Sequence, residues 1–257
     1  MLALAGYPLG ISSVLLDRSA DAPAAQVAPM IVGDWEDPQK LEELARRSDV
    51  VTFDWENIAG NALAPLEDIT RVRPSRAALE VAQDRLSEKA LFLRLKIPVT
   101  PHAPIDSRAQ LQRVMRELGT PGVLKTRRLG YDGKGQFVLR GAQSVDAAWH
   151  ALGGGNLIYE KFQPFSREIS IIGARSAAGR VVFYPLSSNT HGDGVLRYGF
   201  APYSSARLER SARAYLKRVL NELAYVWVLA IEFFVVAGRL IANEMAPRVH
   251  NSGHWTI

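Results

Sequence analysis

Asn243-Glu244-Met245-Ala246-Pro247-Arg248-Val249-His250-Asn251-Ser252-Gly253-His254-Trp255-Thr256-Ile257 sets a carboxylate, an arginine, two histidines and two asparagines around a proline and a glycine. So many directional polar groups suit a site for a metal, phosphates and a polar substrate better than a solvated tail. Upstream, Val226-Trp227-Val228-Leu229-Ala230-Ile231-Glu232-Phe233-Phe234-Val235-Val236 reads as a buried strand interrupted by one acid, Glu232. Charges are rarely buried without a partner. The two segments join near Ala237-Gly238-Arg239, which predicts a hairpin. A three-residue loop places Glu232 opposite Glu244, and a two-residue loop places it opposite Asn243. Facing carboxylates repel. A bound Mg²⁺ reverses the sign, because this hard cation takes carboxylate oxygens together with substrate phosphates. Pairing of either acid with Arg239 or Arg248 is the alternative reading.

Further upstream lies a Gly-rich loop, Gly130-Tyr131-Asp132-Gly133-Lys134-Gly135-Gln136, preceded by Lys125 at the end of the Val123-Leu124 strand. Glycines let backbone N–H groups approach phosphate oxygens. No Gly-Lys-Ser/Thr opens a helix here, so the loop is not a Walker A motif. A plain hairpin with a Gly-rich turn is the competing reading. Ile158-Tyr159-Glu160-Lys161-Phe162 followed by Arg167-Glu168-Ile169-Ser170 reads either as an adenine-side strand with a ribose-binding acid or as an ordinary amphipathic strand. His191, in Ser188-Asn189-Thr190-His191-Gly192-Asp193-Gly194, reads as a loop residue, either solvated or beside a ligand. His250 and His254 lack the spacing of a zinc pair on one helix, and cysteine ligands are absent.

The rest of the chain organises around these segments. Met1 to Ala5 reads as a helix with Gly6 as its C-cap. Val14–Asp17, Met30–Val32 and Asp49–Phe53 read as buried strands, with a helix from Asp37-Pro38 to Arg47 between the last two. This alternation predicts a parallel sheet with crossover helices. Residues 76 to 95 read as helical, with Leu79, Leu86, Leu91, Leu93 and Leu95 among the apolar positions. Ser107-x-x-Gln110 is a capping box opening a helix that Gly119 closes. Strands then dominate, interrupted by a helix over 206–223.

Composition bounds the possibilities. The 257 residues are 47% hydrophobic and 22% charged, as in a folded protein of one large or two ordinary domains. The net charge of +5 suits an anionic small ligand. No cluster of Lys and Arg with aromatics favours nucleic acid. The absence of cysteine rules out disulfides and thiolate metal sites, and fits a cytoplasmic setting. No apolar run reaches the roughly 18 residues of a membrane span. The apolar start lacks a basic n-region and is broken by Gly6, Pro8 and Gly10, which argues against a signal peptide.

Taken in order, these motifs resemble the ATP-grasp superfamily, and within it the 5-(carboxyamino)imidazole ribonucleotide synthase family. The resemblance runs over nearly the whole chain. It rests on Thr52-Phe53-Asp54-Trp55-Glu56-Asn57, Gln83-Asp84-Arg85, Lys125-Thr126-Arg127-Arg128, Gly130 to Gln136, Arg167 to Ser170, and above all Asn243 to Thr256. It implies a partial Rossmann-like pre-ATP-grasp domain (1–78), α/β in class, followed by a two-part α+β ATP-grasp domain (79–257). It implies carboxylation of the amine of 5-aminoimidazole ribonucleotide by bicarbonate and ATP, through carboxyphosphate, with Mg²⁺, and commonly a homodimer.

By this resemblance, Arg85 and Lys125 contact ATP phosphates. The loop with Gly130, Tyr131, Asp132, Gly133, Lys134, Gly135 and Gln136 closes over nucleotide and substrate. Glu160 and Lys161 mark the adenine side, Glu168 the ribose, and His191 lies near the nucleotide. Glu232 and Glu244 bind Mg²⁺, with Asn243 beside them. Tyr131, Asp132, Arg248 and His250 face the ribonucleotide and carboxyphosphate, and Lys134 joins them in catalysis.

The chain departs from the family pattern in several places. The opening strand with its Gly-Gly-Gly-Gln-Leu-Gly turn and the region after Trp255 are lacking, which reads as truncation at both ends. Asp54-Trp55-Glu56 replaces Glu-x-Glu, and Ser188 stands where an acid is common. Trp227 replaces a glycine, which predicts crowding in a core strand. A nucleotide-binding remnant without turnover, or another ATP-grasp ligase using formate or carboxylating biotin, are the alternatives.

Overall fold

The computed structural model describes residues 1–130, 133–192 and 194–256. The chain divides into two compact units at Glu80/Val81. In the first, α1 (Leu2–Gly6) continues into a 3₁₀ turn over Tyr7–Leu9, and the left-handed cap is Gly10 (φ 73°) rather than Gly6. Pro8 explains the shift, since it fits the start of the extra turn. β1 (Leu15–Asp17) pairs in parallel with β2 (Met30–Val32), and β3 (Val50–Val51) with β4 (Arg71–Val72). The parallel pairing is that of the expected α/β unit, but it forms two separate pairs, and β1 is half-buried rather than buried. Asp37 caps α2 (Pro38–Arg46), accepting from the N–H groups of Gln39 and Lys40. α2 and α3 (Gly60–Glu67) enclose Leu41, Val51, Phe53, Leu63, Leu66, Val72 and Leu79.

The helical stretch expected over 76–95 is two helices, α4 (Arg76–Gln83) and α5 (Arg85–Arg94). Asp84 separates them. Its carboxylate caps α5 by accepting from Leu86 N (2.9 Å) and pairs with Arg127 (2.6 Å). Leu93 is exposed, whereas Glu88, Lys89, Leu91 and Phe92 are buried. Positions 85, 88, 89 and 92 share one helical face, so the buried face of α5 is largely charged.

Two sheets build the second unit. The first has the order β5-β8-β6-β7, from β5 (His102–Ile105), β8 (Leu157–Lys161), β6 (Gly122–Thr126) and β7 (Gln136–Leu139). α6 (Arg108–Leu118) and α7 (Val145–Ala151) cover it over a core of Ile105, Leu111, Leu124, Leu139 and Tyr159. Ser107 Oγ caps α6 at Gln110 N, but the return bond runs from Asp106 N to Gln110 Oε1, one residue outside the expected box. Tyr159 donates to Gly119 O (2.8 Å), and a Cβ on Gly122 would lie 2.0 Å from that hydroxyl, so only glycine fits there.

The second sheet has the order β12-β11-β9-β13-β14, with β10 (Val181–Phe183) also on β9 (Arg167–Arg175). β11 (Ser187–Gly192), β12 (Val195–Phe200), β13 (Trp227–Val236) and β14 (Arg239–Ala246) complete it, and α8 (Ala206–Glu222) packs on β9, β13 and β14. Every pairing in it is antiparallel. Trp227 begins β13 half-buried with φ +133°. The difficulty there is the backbone, which favours glycine, rather than crowding of the core. Among the described residues, no helix is long and apolar enough to cross a membrane.

Candidate active site

The β13–β14 hairpin turns over two residues, Ala237 and Gly238, both with positive φ (47° and 71°). A regular ladder from such a turn would set Glu232 opposite Asn243. A β-bulge intervenes: Phe233 pairs with Ala242, and Glu232 pairs with Glu244. Asn243 is the extra residue, and its buried Oδ1 lacks a hydrogen-bond partner. The facing acids of the three-residue reading therefore arise from a two-residue turn plus a bulge.

The two carboxyls are not equivalent. Burial and the neighbouring Glu244 push Glu232 up to about 8. Burial also acts upward on Glu244, but Arg85, which donates from Nη1 to Oε2 at 2.9 Å, holds it down to about 2. His250 Nε2 stands 3.7 Å from Glu232 Oε1. Its Nδ1 accepts from Ser252 N (3.3 Å), so Nε2 carries the ring proton. Burial and the nearby Arg248 hold this imidazole down to about 4, hence neutral at pH 7. Asn251–Thr256 forms a 3₁₀ turn lying against β11 and β12, where Ser187 Oγ donates to Ser252 O (3.1 Å), and a Cβ on Gly253 would fall 2.8 Å from Ile172 Cδ1 of β9.

A second cluster adjoins the first. Lys125 donates to Glu160 Oε2 (2.8 Å). Lys89 lies 3.1 Å from Glu160 Oε1, as an ion pair outside hydrogen-bond angles, and donates to the carbonyl of Asn243 (3.2 Å). Burial favours the neutral acid at Glu160, yet the two lysines outweigh it and lower its pKa. Burial lowers Lys125, with Arg85 and Lys89 acting the same way. Glu160 thus anchors cations through its carboxylate, a task the adenine-side reading did not include. Lys161, next along β8, is exposed.

His191 lies on strand β11 and not on a loop. The Ser-Asn-Thr-His-Gly run reads locally as a turn, but pairing with β9 and β12 overrides that preference. His191 Nδ1 meets Glu168 Oε2 at 2.5 Å, and this bond raises the imidazole pKa. Ser188 accepts from Arg167 Nη1 (3.0 Å).

The Gly-rich loop begins and ends against β6. Thr126 N donates to Gly135 O (2.8 Å), and Gln136 pairs with Lys125. A Cβ on Gly130 would lie 3.2 Å from Arg85 Nη2, and one on Gly135 2.6 Å from Thr126 Oγ1. Gly133 has φ 73°, and Lys134 is exposed. Tyr131 and Asp132 lie outside the described residues, as does Asp193.

The fold thus gathers Arg85, Lys125, Glu160, Glu168, His191, Glu232, Asn243, Glu244, Arg248 and His250 into one connected set. Reasoning from sequence missed Glu88 and Lys89. The available signal was two adjacent charges on the helical face that also carries Arg85 and Phe92.

Three or more His, Asp or Glu side chains do not converge as a self-contained metal cage among the described residues. Two facing carboxylates and an unpartnered amide oxygen fit instead a hard cation that shares phosphate oxygens with a substrate.

A two-sheet unit with lysine-bearing strands, a Gly-rich loop and paired acids defines an ATP-grasp protein. The ATP-grasp domain family matches residues 90–257, and the ribonucleotide synthetase pre-ATP-grasp domain matches residues 1–83. The chain belongs to the N5-carboxyaminoimidazole ribonucleotide synthase family. It is 46% identical to that synthase from Pseudomonas aeruginosa, covering all of this chain and 71% of the relative. The crystal structure of the Thermus thermophilus N5-carboxyaminoimidazole ribonucleotide synthetase aligns with TM-score 0.94 at 46% identity, over 100% of this chain and 70% of that one. An Aspergillus clavatus N5-carboxyaminoimidazole synthase, in complex with ADP and 5-aminoimidazole ribonucleotide, aligns with TM-score 0.89 at 25% identity, over 100% and 69%.

Proposed function

We propose that the Val81–Thr256 unit binds Mg–ATP on the face carrying Glu232 and Glu244. The chain then carboxylates the amine of 5-aminoimidazole ribonucleotide, with conversion of ATP to ADP and phosphate, in purine biosynthesis. The observation that carries this reading is the Glu232–Glu244 pair set up by the bulge at Asn243. Two ionised carboxylates facing each other repel, and a divalent cation between them reverses the sign.

Phosphoryl transfer asks a protein chiefly for positioning and charge neutralisation. Glu232, Glu244 and the Asn243 amide oxygen would hold Mg²⁺, which when bound neutralises charge on phosphate oxygens. Lys125 and Arg85, fixed by Glu160 and Glu244, present rigid positive charge to the nucleotide phosphates. The ends of the Gly-rich loop bring Gly130 and Gly135 beside Arg85 and Thr126, where backbone N–H groups can accompany those charges. Glu168 orients the His191 ring at Nδ1. Neutral His250 presents Nε2–H toward Glu232, and Arg248 adds charge beside it. Tyr131, Asp132 and Lys134 are assigned to the loop that covers substrate. Bicarbonate as the carboxyl source, a homodimer and a cytoplasmic setting rest on the family resemblance.

The test is ADP release from Mg–ATP by this chain in bicarbonate buffer, with and without 5-aminoimidazole ribonucleotide. Ribonucleotide-stimulated release is expected, together with loss of Mg–ATP binding in Glu244→Ala. Absence of stimulation in folded protein overturns the carboxylation reading. Unchanged Mg–ATP binding in Glu244→Ala overturns the cation assignment.

A further inference from the structure

Helix α5 reaches three consecutive residues of β14 with three side chains of one face. Arg85 donates to Glu244 Oε2 (2.9 Å), Lys89 donates to Asn243 O (3.2 Å), and Glu88 Oε1 accepts from Met245 N at 2.5 Å. The spacing i, i+3, i+4 matches one turn of helix against the bulge. Two of these contacts are to backbone atoms flanking Glu244. A bulge frees polar groups from the ladder, and here a side-chain donor and a side-chain acceptor take them up. Glu88 and Lys89 are themselves almost fully buried, at 2% and 0% exposure. Burying a carboxyl and an ammonium is unfavourable unless hydrogen bonds compensate, and the bonds here go to the strand bearing Glu244.

We propose that Glu88 and Lys89 are positioning residues for the cation site: their hydrogen bonds hold the Asn243 bulge in the form that sets Glu244 opposite Glu232. They touch neither the cation nor the nucleotide and act through the backbone of β14. Lys89 also pairs with Glu160, the partner of Lys125, so one ammonium ties the bulge to the phosphate-side lysine. This inference rests on the assignment of a divalent cation to Glu232 and Glu244.

The experiment uses Mn²⁺ as probe, bound to the full chain with ADP and followed by electron paramagnetic resonance. Amide exchange at Asn243–Met245 is measured in parallel. Wild type should bind Mn²⁺ and Glu244→Ala should not; if wild type fails to bind, the cation assignment itself falls. Given wild-type binding, Glu88→Ala and Lys89→Met should each weaken Mn²⁺ by about 10–100-fold, the usual effect of losing a partner that orients a ligand. Metal-free ADP binding by Glu88→Ala should stay within about twofold of wild type, a split that general destabilisation does not produce. Glu88→Gln keeps the carbonyl acceptor for Met245 N and should restore Mn²⁺ binding and slow exchange. If Lys89→Met does not fold, the Glu88 pair decides. Mn²⁺ binding within twofold of wild type in folded Glu88→Ala overturns the proposal, as does equal weakening by Ala and Gln.

Discussion

His191 and Glu168 show how one contact sets a residue's ionisation. The hydrogen bond that Glu168 accepts from His191 Nδ1 raises the imidazole pKa, against the opposite effect of burial. The folded state therefore holds the proton more tightly than the unfolded chain does. The resulting stabilisation is complete below the unfolded histidine value of roughly 6.5 and disappears as pH rises through the folded value. The stability difference between wild type and His191→Gln, without metal or nucleotide, should be largest below pH 6.5 and shrink toward alkaline pH. A difference independent of pH would exclude a charged pair. Part of this was legible: Glu232 stands out as the one acid in an apolar run and Glu244 as part of the polar block after it, whereas Glu168 and His191 had ordinary alternative readings. The partners were not legible, because Lys125 and Glu160, or Arg85 and Glu244, are far apart in the chain.

At the scale of elements, β13 illustrates a conflict between side chain and backbone. Trp227 opens the strand with φ +133°, where glycine is at ease and a residue with a Cβ is strained. Within an ordinary strand, alanine is more stable than glycine. At this position the order should reverse, with Trp227→Gly more stable than Trp227→Ala by about 1–3 kcal/mol. Comparing the two variants cancels the lost indole, and urea unfolding reads the difference. An alanine variant as stable as the glycine one would remove the backbone explanation. The helices show the complementary limit. Caps at Asp37 and Ser107 follow from local hydrogen bonding and were readable. The break at Asp84 was not, since that carboxylate serves as a cap while answering Arg127. The leucines of α5 did not identify its buried face, because that face contains Glu88 and Lys89.

For the whole molecule, the division at Glu80/Val81 gives each unit its own apolar core. All the cation and nucleotide residues assigned above lie in the second unit. Mg–ADP should therefore slow amide exchange around Lys125–Gly130, Glu160–Glu168 and Glu232–His250, and leave Met1–Glu80 unchanged. Ligand binding stabilises what it touches by mass action. Equal protection in both units would mean that they unfold as one body and that the site assignment is too narrow.

By itself the sequence determined the kinds of element and the chemistry on offer. Strand and helix periods, caps and Gly-rich turns are written in near neighbours, and the Asn243–Thr256 block carries a family pattern in its residue order. Only the tertiary structure decided whether Glu232 meets Glu244. A two-residue turn alone would have set Glu232 against Asn243. The bulge restores the pairing, and α5, about 150 residues earlier in the chain, takes up the backbone groups of that bulge through Glu88 and Lys89. Register in a strand depends on hydrogen bonds from whatever packs against it, and those partners are not neighbours in sequence.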